Sequence, residues 1–452
     1  MNENNSFDLV VVGGGITGLA TAYIAAKSGK KVAIVEASNS IGGLLSTFEV
    51  ENTRLEFYYH HFFMHDAELQ WLIHDLGIED KLFFKKTSMG VFKNGKIFNF
   101  NSPIDLLKYT PINFIDKIRF GLTSIFLGKF AKWEKYEHIS SFNWLNKFAG
   151  KSTSESLWNP LLKIKFGPYA SQVPLSWMIG RMRQRMNSRK GGDERLGYLE
   201  GSLQVLLDAL LGKLQEMNVS IITNAPVEKI NIENKIIQNI LTPKGEIEGS
   251  KYVFTIPNHF ISDLFKPIHL KYSKQLLEVK YFGAICVILE LHQPLSDIYW
   301  LNISDDGFPF GGIIEHTNFI PSSKYNNTHI AYLSRYFAKE EDIASTSNQE
   351  IEKLMIGYLP KINPNFNESW IKKISTFRTN TAATVCDFNF SFKVPMCQTP
   401  IENIYIANMS HVYPDERSTN NSIRIAAEAC RIMEIPSEFV PKNNSLSGKI
   451  GF

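Results

Sequence analysis

The stretch Asp8-Leu-Val-Val-Val-Gly13-Gly14-Gly15-Ile-Thr-Gly18-Leu-Ala-Thr-Ala22, followed by Lys31-Val-Ala-Ile-Val-Glu36, decides the fold. Residues 9–12 are an unbroken apolar run, the pattern of a parallel strand buried on both faces. Residues 16–28 read as a helix of small residues, and residues 32–35 as a second strand. Gly13 allows the tight turn, Gly15 lets the backbone come close to a pyrophosphate, and Gly18 lets the helix pack on the strand. Ile16 and Thr17 open the helix, where free N–H groups and the helix dipole favour an anion. Glu36, followed by Ala37, ends the second strand, where a carboxylate accepts hydrogen bonds from a ribose hydroxyl. An acid there also disfavours a 2′-phosphate. This order predicts an α/β Rossmann-type domain that binds a dinucleotide.

Working outward, the next motif is Ile41-Gly42-Gly43-Leu44-Leu45-Ser46-Thr47. It resembles the second flavin motif of the amine oxidase, protoporphyrinogen oxidase and phytoene desaturase clan. The usual form has an arginine two residues before the glycine pair. Ser40 stands there instead, so an arginine–phosphate contact is not inferred, while the backbone approach of Gly42, Gly43 and Leu44 is kept. Four further stretches carry the resemblance: Phe57-Tyr-Tyr-His60-His61-Phe, Lys163-Ile-Lys-Phe-Gly167, Phe308-Pro-Phe-Gly-Gly-Ile-Ile-Glu315-His316-Thr-Asn318 and Tyr413-Pro-Asp415-Glu-Arg417. Within the clan, the chain looks most like bacterial and archaeal protoporphyrinogen-oxidase-like oxidoreductases, and more distantly like UDP-galactopyranose mutase.

The resemblance implies a glutathione-reductase-like FAD domain of the amine oxidase subtype, made of residues 1–60, 195–265 and 396–452. An interleaved α+β substrate domain would take residues 61–194 and 266–395. It implies that Val227 contacts the adenine through its backbone and that the strand ending at Pro257 closes the FAD domain. It also implies that the loop and helix carrying Asp415, Asn420 and Asn421 point a helix N-terminus at the flavin ring, where its partial positive charge favours negative charge. Only one dinucleotide fingerprint is present, so the flavin is expected to be reduced by its substrate or by a transient donor. No cysteine matches a covalent flavin link, so non-covalent FAD is expected.

The 452 residues suggest roughly two to three domains, and 44% apolar content can bury a large core. A formal charge of +3 implies no global field for nucleic acid. Cys286, Cys386, Cys397 and Cys430 show no metal spacing and suit a reducing compartment. The start Met1-Asn-Glu-Asn-Asn-Ser lacks the basic region of a signal peptide. No stretch reaches transmembrane length without charges. Cytoplasmic placement is therefore expected.

Residues 66–78 read as an amphipathic helix, 82–100 as a hairpin around Asn94-Gly95, 103–190 as mostly helical and 275–395 as strand-rich. Residues 219–223 and 225–230 read as successive strands.

His60 and His61 lie on the loop that in the clan passes the isoalloxazine ring, and stand as acid–base candidates. The plainer reading has one packed and the other solvated. Alternation in an apolar strand puts His316 and Asn318 on one face and Glu315 on the other, either lining a cavity or satisfied in a buried pair. Arg378 and Arg335, isolated among strands, are candidate pocket cations. The run Arg181, Arg183, Arg185, Arg189, Lys190 reads as a solvated helix face, the alternative being a diphosphate clamp. Phe114, Ile118, Leu122, Ile125 and Phe126 form an apolar stripe that reads as a core face; the alternative is shallow membrane contact through 103–190 at an inner membrane face.

The leading expectation is an FAD-dependent oxidoreductase that moves a hydride from a C–H or C–N bond of a small or lipid-linked substrate to flavin N5, with no nucleic acid partner and an unidentified electron acceptor or donor. One rival is a redox-neutral isomerase on a diphosphate-linked sugar. Another is a lipid-binding protein of the Rab GDP-dissociation-inhibitor type.

Overall fold

The computed structural model describes residues 6–190, 193–442 and 451–452. The polar start Met1–Asn5 and the side chains of Arg189 and Lys190 lie outside the described residues. β1 (Phe7–Val12), α1 (Ile16–Lys27) and β2 (Val32–Val35) form the expected crossover, with β1 and β2 parallel and Val12 opposite Val35. Residues 9–12 are buried because β1 is central. On its other side runs the strand Gly245–Phe254, again parallel, with Val12 opposite Phe254. Ser220–Ile222 extends the sheet beyond β2, and Ile404–Ile406 extends it beyond Gly245–Phe254, both parallel. The carboxyl ends Val12, Val35, Ile222, Phe254 and Ile406 therefore share one edge, and in open α/β sheets the ligand crevice lies outside such an edge. α1, the helix Gln204–Glu216 and the helix Thr419–Ile432 cover this sheet through a core that includes Leu19, Leu207 and Ile423.

Two local readings need correction. The segment 225–228 is not a strand; pairing begins at Lys229, in the antiparallel meander Lys229–Glu233, Ile236–Thr242 and Gly245–Phe254. Pro226 has no N–H to give a ladder. The chain is pinned over the end of β2 instead, with Asn224 N–H donating to Ser38 O at 2.8 Å and Ala225 N–H to Glu36 O at 2.9 Å. The apolar stripe of the helix Phe114–Ile125 does not face the core. Phe114 is 66% exposed, Ile115 70%, Ile118 51% and Leu122 64%. The anchored face carries Asp116, which is buried and accepts from Ser152 N–H at 3.0 Å, and Phe120, stacked on Trp158 at 5.5 Å.

A second seven-stranded sheet runs Ile371–Thr384, Tyr281–Leu291, His329–Phe337, Gly312–Glu315, Trp300–Ile303, Met89–Lys93, Lys96–Asn99. Its last hairpin turns through Asn94 (φ 53°) and Gly95 (φ 69°), as the Asn-Gly pair predicts. The neighbouring strand Leu82–Lys86 leaves this sheet and pairs with Asp193–Leu199, which also pairs with Phe62–Phe63. That ties down the loop carrying His60 and His61. The helix Leu175–Asn187 closes the cleft from the helical side. Among the described residues, no helix is long and apolar enough to cross a membrane.

Gly18 supports the crossover by contact rather than by ligand access: a Cβ there would sit 1.9 Å from Gly13 O. Gly18→Ala should cost about 1–3 kcal/mol through overpacking. The expected result is a lower thermal midpoint, measured without added FAD; an unchanged midpoint would contradict the packing.

Candidate active site

The crevice at the carboxyl edge is a cavity of about 850 Å³. Gly13, Gly15, Ile16 and Thr17 line it from the first turn, and Glu36 and Ala37 from the end of β2. Gly42, Gly43 and Leu44 form its floor, while Val227 and Pro257 border it where the chain returns. The two glycine loops are joined directly. Gly42 N–H donates to Gly14 O at 2.9 Å, and a Cβ on Gly43 would lie 3.3 Å from Gly15 Cα. A Cβ on Gly15, by contrast, would meet no atom within 4 Å. The space above Gly15 is thus open, and α1 starts there with no side-chain cap and no acid in its first turn. Its free donors suit an anion. Glu36 accepts from Gly14 N–H at 2.6 Å and from Ser38 N–H at 2.8 Å, which fixes its carboxylate at the rim. These residues fit the pyrophosphate and ribose of FAD. No cysteine is among the residues lining this cavity.

The C-terminal helix Thr419–Ile432 also begins at the cavity, but through other side chains than expected. Ser418, its N-cap, accepts from Asn421 N–H at 3.1 Å, and Ser418, Thr419 and Ser422 line the wall. Asp415, Asn420 and Asn421 do not line it. Asn420 is buried, bonding Leu69 N–H and Glu68 at 2.9 Å each. Asn421 donates to Glu416 O at 2.7 Å, and Asp415 pairs with Arg424 at 3.3 Å. These polar groups hold the loop and the helix start in place.

His60, Met409, Arg417, Ser418 and Thr419 are shared by this cavity and by a second chamber of about 200 Å³. His61 lines only the second chamber. His60 Nδ1–H donates to Tyr58 O at 2.5 Å, which leaves Nε2 as the acceptor. Burial, with the nearby Arg417 charge, lowers the His60 pKa to about 4. Burial and Arg185 lower that of His61 to about 3. Both rings are neutral at physiological pH. His61 packs edge-on to Phe63 and Trp300, each at 5.2 Å.

In the described part of the basic run, Arg181, Arg183 and Arg185 do not form a solvated face. Arg181 and Arg185 point into the chamber, one turn apart, while Arg183 turns away to bond Ala131 O. Arg181 donates to Glu416 at 2.6 Å, and Lys165 holds the same carboxylate. Burial would raise the Glu416 carboxyl, yet Arg181 and Lys165 hold it well below the usual carboxylate range. Arg185 pairs with Glu194 at 2.7 Å, and Arg417 donates to Tyr336 Oη at 2.6 Å. Lys165, Glu416 and Arg417 lay within the stretches that carry the resemblance, and the i, i+4 spacing of Arg181 and Arg185 was the available signal for the other two.

His316 is not in either chamber. The strand ends at Glu315, and residues 316–318 form a 3-10 turn in which buried His316 Nε2 meets Tyr325 Oη at 2.7 Å. Burial lowers its pKa to about 3. Glu315 accepts from Leu295 N–H at 2.7 Å, and Asn318 donates to Ser296 O at 2.8 Å. The satisfied arrangement holds here because the turn breaks the alternation. Arg378 lines the FAD-sized cavity but is tied to main chain, donating to Thr346 O at 2.7 Å. Arg335 pairs with Glu341 at 2.8 Å at the chamber wall.

Fold and site together define a flavoprotein oxidoreductase. Residues 16–410 match the family described as flavin containing amine oxidoreductase, and the chain belongs to that family. It is 23% identical over 435 residues to a 15-cis-phytoene desaturase of Arabidopsis thaliana, covering 88% of this chain and 75% of the relative. An oxidoreductase from Methanosarcina mazei superposes with TM-score 0.73 at 17% identity, covering 94% and 99% of the two chains. Reduced UDP-galactopyranose mutase superposes with TM-score 0.71 at 13% identity, covering 97% of each. The protein is an FAD-dependent oxidoreductase.

Because Gly15 faces open space and Gly18 faces backbone, their substitutions should differ in kind. Gly15→Asp and Glu36→Lys should each fold with a midpoint close to that of the apoprotein, yet purify without the visible flavin bands. Full FAD content in both variants would refute this cavity as the cofactor site.

Proposed function

We propose that the protein oxidises a C–H or C–N bond of a small or lipid-linked substrate held in the 200 Å³ chamber. The observation that carries this is the sharing of His60, Met409, Arg417, Ser418 and Thr419 between that chamber and the FAD-sized cavity. In this reading, residues 1–60, 195–265 and 396–452 hold the cofactor, and residues 61–194 and 266–395 hold the substrate. Bound FAD supplies the N5 position that accepts a hydride. The protein's own part is positioning and exclusion of water. Trp177, Trp300 and Phe282 form the apolar part of the chamber wall. With a pKa of about 4, His60 is a weak base, and its free Nε2 orients the substrate by accepting a hydrogen bond. The cations Arg181 and Arg185 also favour a second reading, redox-neutral turnover on a diphosphate-linked sugar. Anaerobic mixing with candidate substrates separates the two. An oxidised substrate bleaches the visible band stoichiometrically. An isomerase turns over without bleaching and only after prior reduction.

The exposed apolar face supports peripheral membrane contact through 103–190. Ile104, Leu107, Phe114, Ile118 and Leu122 project outward beside the exposed Lys108, Lys129 and Lys132. An exposed apolar face in a segment that also carries exposed lysines suits shallow insertion into an anionic surface. The double variant Ile118→Glu, Leu122→Glu should lower binding to phosphatidylglycerol vesicles at least about tenfold in sedimentation, since each buried apolar side chain contributes about 1.5–3 kcal/mol. Equal sedimentation of the two proteins would exclude this face.

The two histidines also set a pH dependence of stability. In the unfolded chain an imidazole binds its proton near pH ~6.5, whereas in the folded protein it does so only near 4 for His60 and 3 for His61. Between these values the unfolded chain carries more protons. Their contribution is therefore complete above about pH 6.5 and falls away as pH drops toward the folded values. The thermal midpoint of His60→Gln, His61→Gln should decline less between about pH 7 and about pH 4.5 than that of the parent. Parallel declines would show that neither ring is held neutral.

A further inference from the structure

The substrate chamber has an unbalanced charge. Lys165, Arg181, Arg185, Arg335 and Arg417 stand at its wall with the carboxylates Asp415 and Glu416; Glu194 and Glu341 pair with Arg185 and Arg335, and Arg424 pairs with Asp415, so cations outnumber carboxylates around the chamber. The Arg417 guanidinium donates to the Tyr336 hydroxyl, a neutral partner. These side chains are mostly buried; Arg181 is 13% exposed and Arg185 19%. Part-buried positive charge without a matching anion is unfavourable until an anion completes it.

The aromatic faces point the same way. An ammonium group would be recognised by lying over an indole or phenol ring. Here the two indoles are already met by the protein's own cations. Lys165 Nζ lies 4.7 Å from the Trp177 ring centroid and the Arg181 guanidinium 5.6 Å, while Arg185 lies 5.5 Å from that of Trp300. An amine entering the chamber would meet like charge, and both of its indole rings already lie beside the protein's own cations.

A third cavity, of about 420 Å³, opens from the same two arginines. It shares Leu161, Ile164, Arg181, Arg185, Asn302 and Gly311 with the charged chamber. Beyond them its walls are mostly apolar, including Phe100, Leu106, Phe120, Leu157 and Trp158, with Glu194 beside Arg185 the one carboxylate among the lining residues. Its far side runs beneath the helices Pro103–Lys108 and Phe114–Ile125, whose outer faces are the exposed apolar surface.

We infer that the substrate is an anionic amphiphile, with a phosphate or carboxylate bound by Arg181, Arg185, Lys165 and Arg417 and an apolar chain lying in the 420 Å³ cavity. This rests on the chamber being the substrate site of the flavin enzyme, and it excludes amines from that site although the family is named for them. Guanidinium groups bind phosphate and carboxylate by paired N–H donors, and a lysine adds a point charge. Glu416 and Glu194 orient these cations rather than neutralise the set.

The test is equilibrium titration of the FAD-loaded protein with octyl phosphate, octanol and octylamine below their aggregation thresholds. Tryptophan fluorescence reports on Trp177 and Trp300, and the visible flavin band reports on the adjoining cavity. Octyl phosphate should bind at least about tenfold tighter than octanol, and octylamine should bind more weakly than octanol. Arg181→Gln and Arg185→Gln should each lower octyl phosphate affinity about tenfold and leave octanol unchanged. Arg185→Lys, which keeps the charge, should retain the preference. Gly121 lines the apolar cavity, and a Cβ there would meet nothing within 4 Å. Gly121→Leu should therefore weaken octyl phosphate and octanol together. Octylamine binding as tightly as octyl phosphate would overturn the inference, as would unchanged phosphate affinity in both glutamine variants or no binding of any of the three. Such a result in a yellow, FAD-loaded protein would leave the flavin reading standing; a colourless protein that takes up no FAD would remove that reading itself.

Discussion

Two stretches of glycine backbone, residues 13–18 and 42–43, have to touch each other and also leave room for a third body. Gly42 N–H bonds Gly14 O, Gly43 crowds Gly15, and Gly18 lies against Gly13 O. Any side chain at these contacts would separate the loops, and the end of β2 with Glu36 would lose its position relative to the start of α1. Yet the same cluster keeps the Gly15 Cβ direction open. Close packing below and vacant space above distinguish a cofactor cradle from an ordinary glycine turn. The parallel sheet then carries the consequence outward. Since Phe254 and Ile406 end level with Val12, the segments leaving those strands border the same crevice, although they are hundreds of residues apart in sequence.

What was legible in the sequence follows from how local its causes are. β1, α1, β2 and the Asn94-Gly95 hairpin depend on apolar runs, glycine conformations and short-range spacing, and all are present. The C-terminal loop was found at the cofactor cavity, but its working side chains were not. Residue type favoured Asp415, Asn420 and Asn421, whereas Ser418, Thr419 and Ser422 face the space. An asparagine at the start of a helix serves a neighbouring helix as readily as a ligand, as Asn420 does for Leu69 and Glu68. His316 was misplaced for a similar reason: alternation holds only while the strand lasts, and this one ends at Glu315.

The basic run and the apolar stripe show one error in opposite directions. Charge suggested solvent for Arg181 and Arg185, and apolarity suggested the core for Ile118 and Leu122. Both pairs lie the other way round. Periodicity identifies which residues share a helical face, and it is silent on what that face meets. The structure supplies partners that the sequence separates widely. Glu416 is 235 residues from Arg181, and Ser152, 36 residues on, replaces apolar packing at Asp116.

These inversions are connected. A cleft that holds cations must be walled from bulk water by apolar residues, or the charges would be screened and lose their orienting effect. The helical segment provides that wall with its inner face, through Phe120, Leu157 and Trp158. Its outer face is then left without protein to cover it. A soluble enzyme with a polar substrate would gain by making that outer face polar. Retaining isoleucine, leucine and phenylalanine there, directly over an apolar cavity that ends at two arginines, is consistent with a substrate whose chain and headgroup prefer different surroundings, and with a route from a lipid surface through the apolar cavity to the charged chamber.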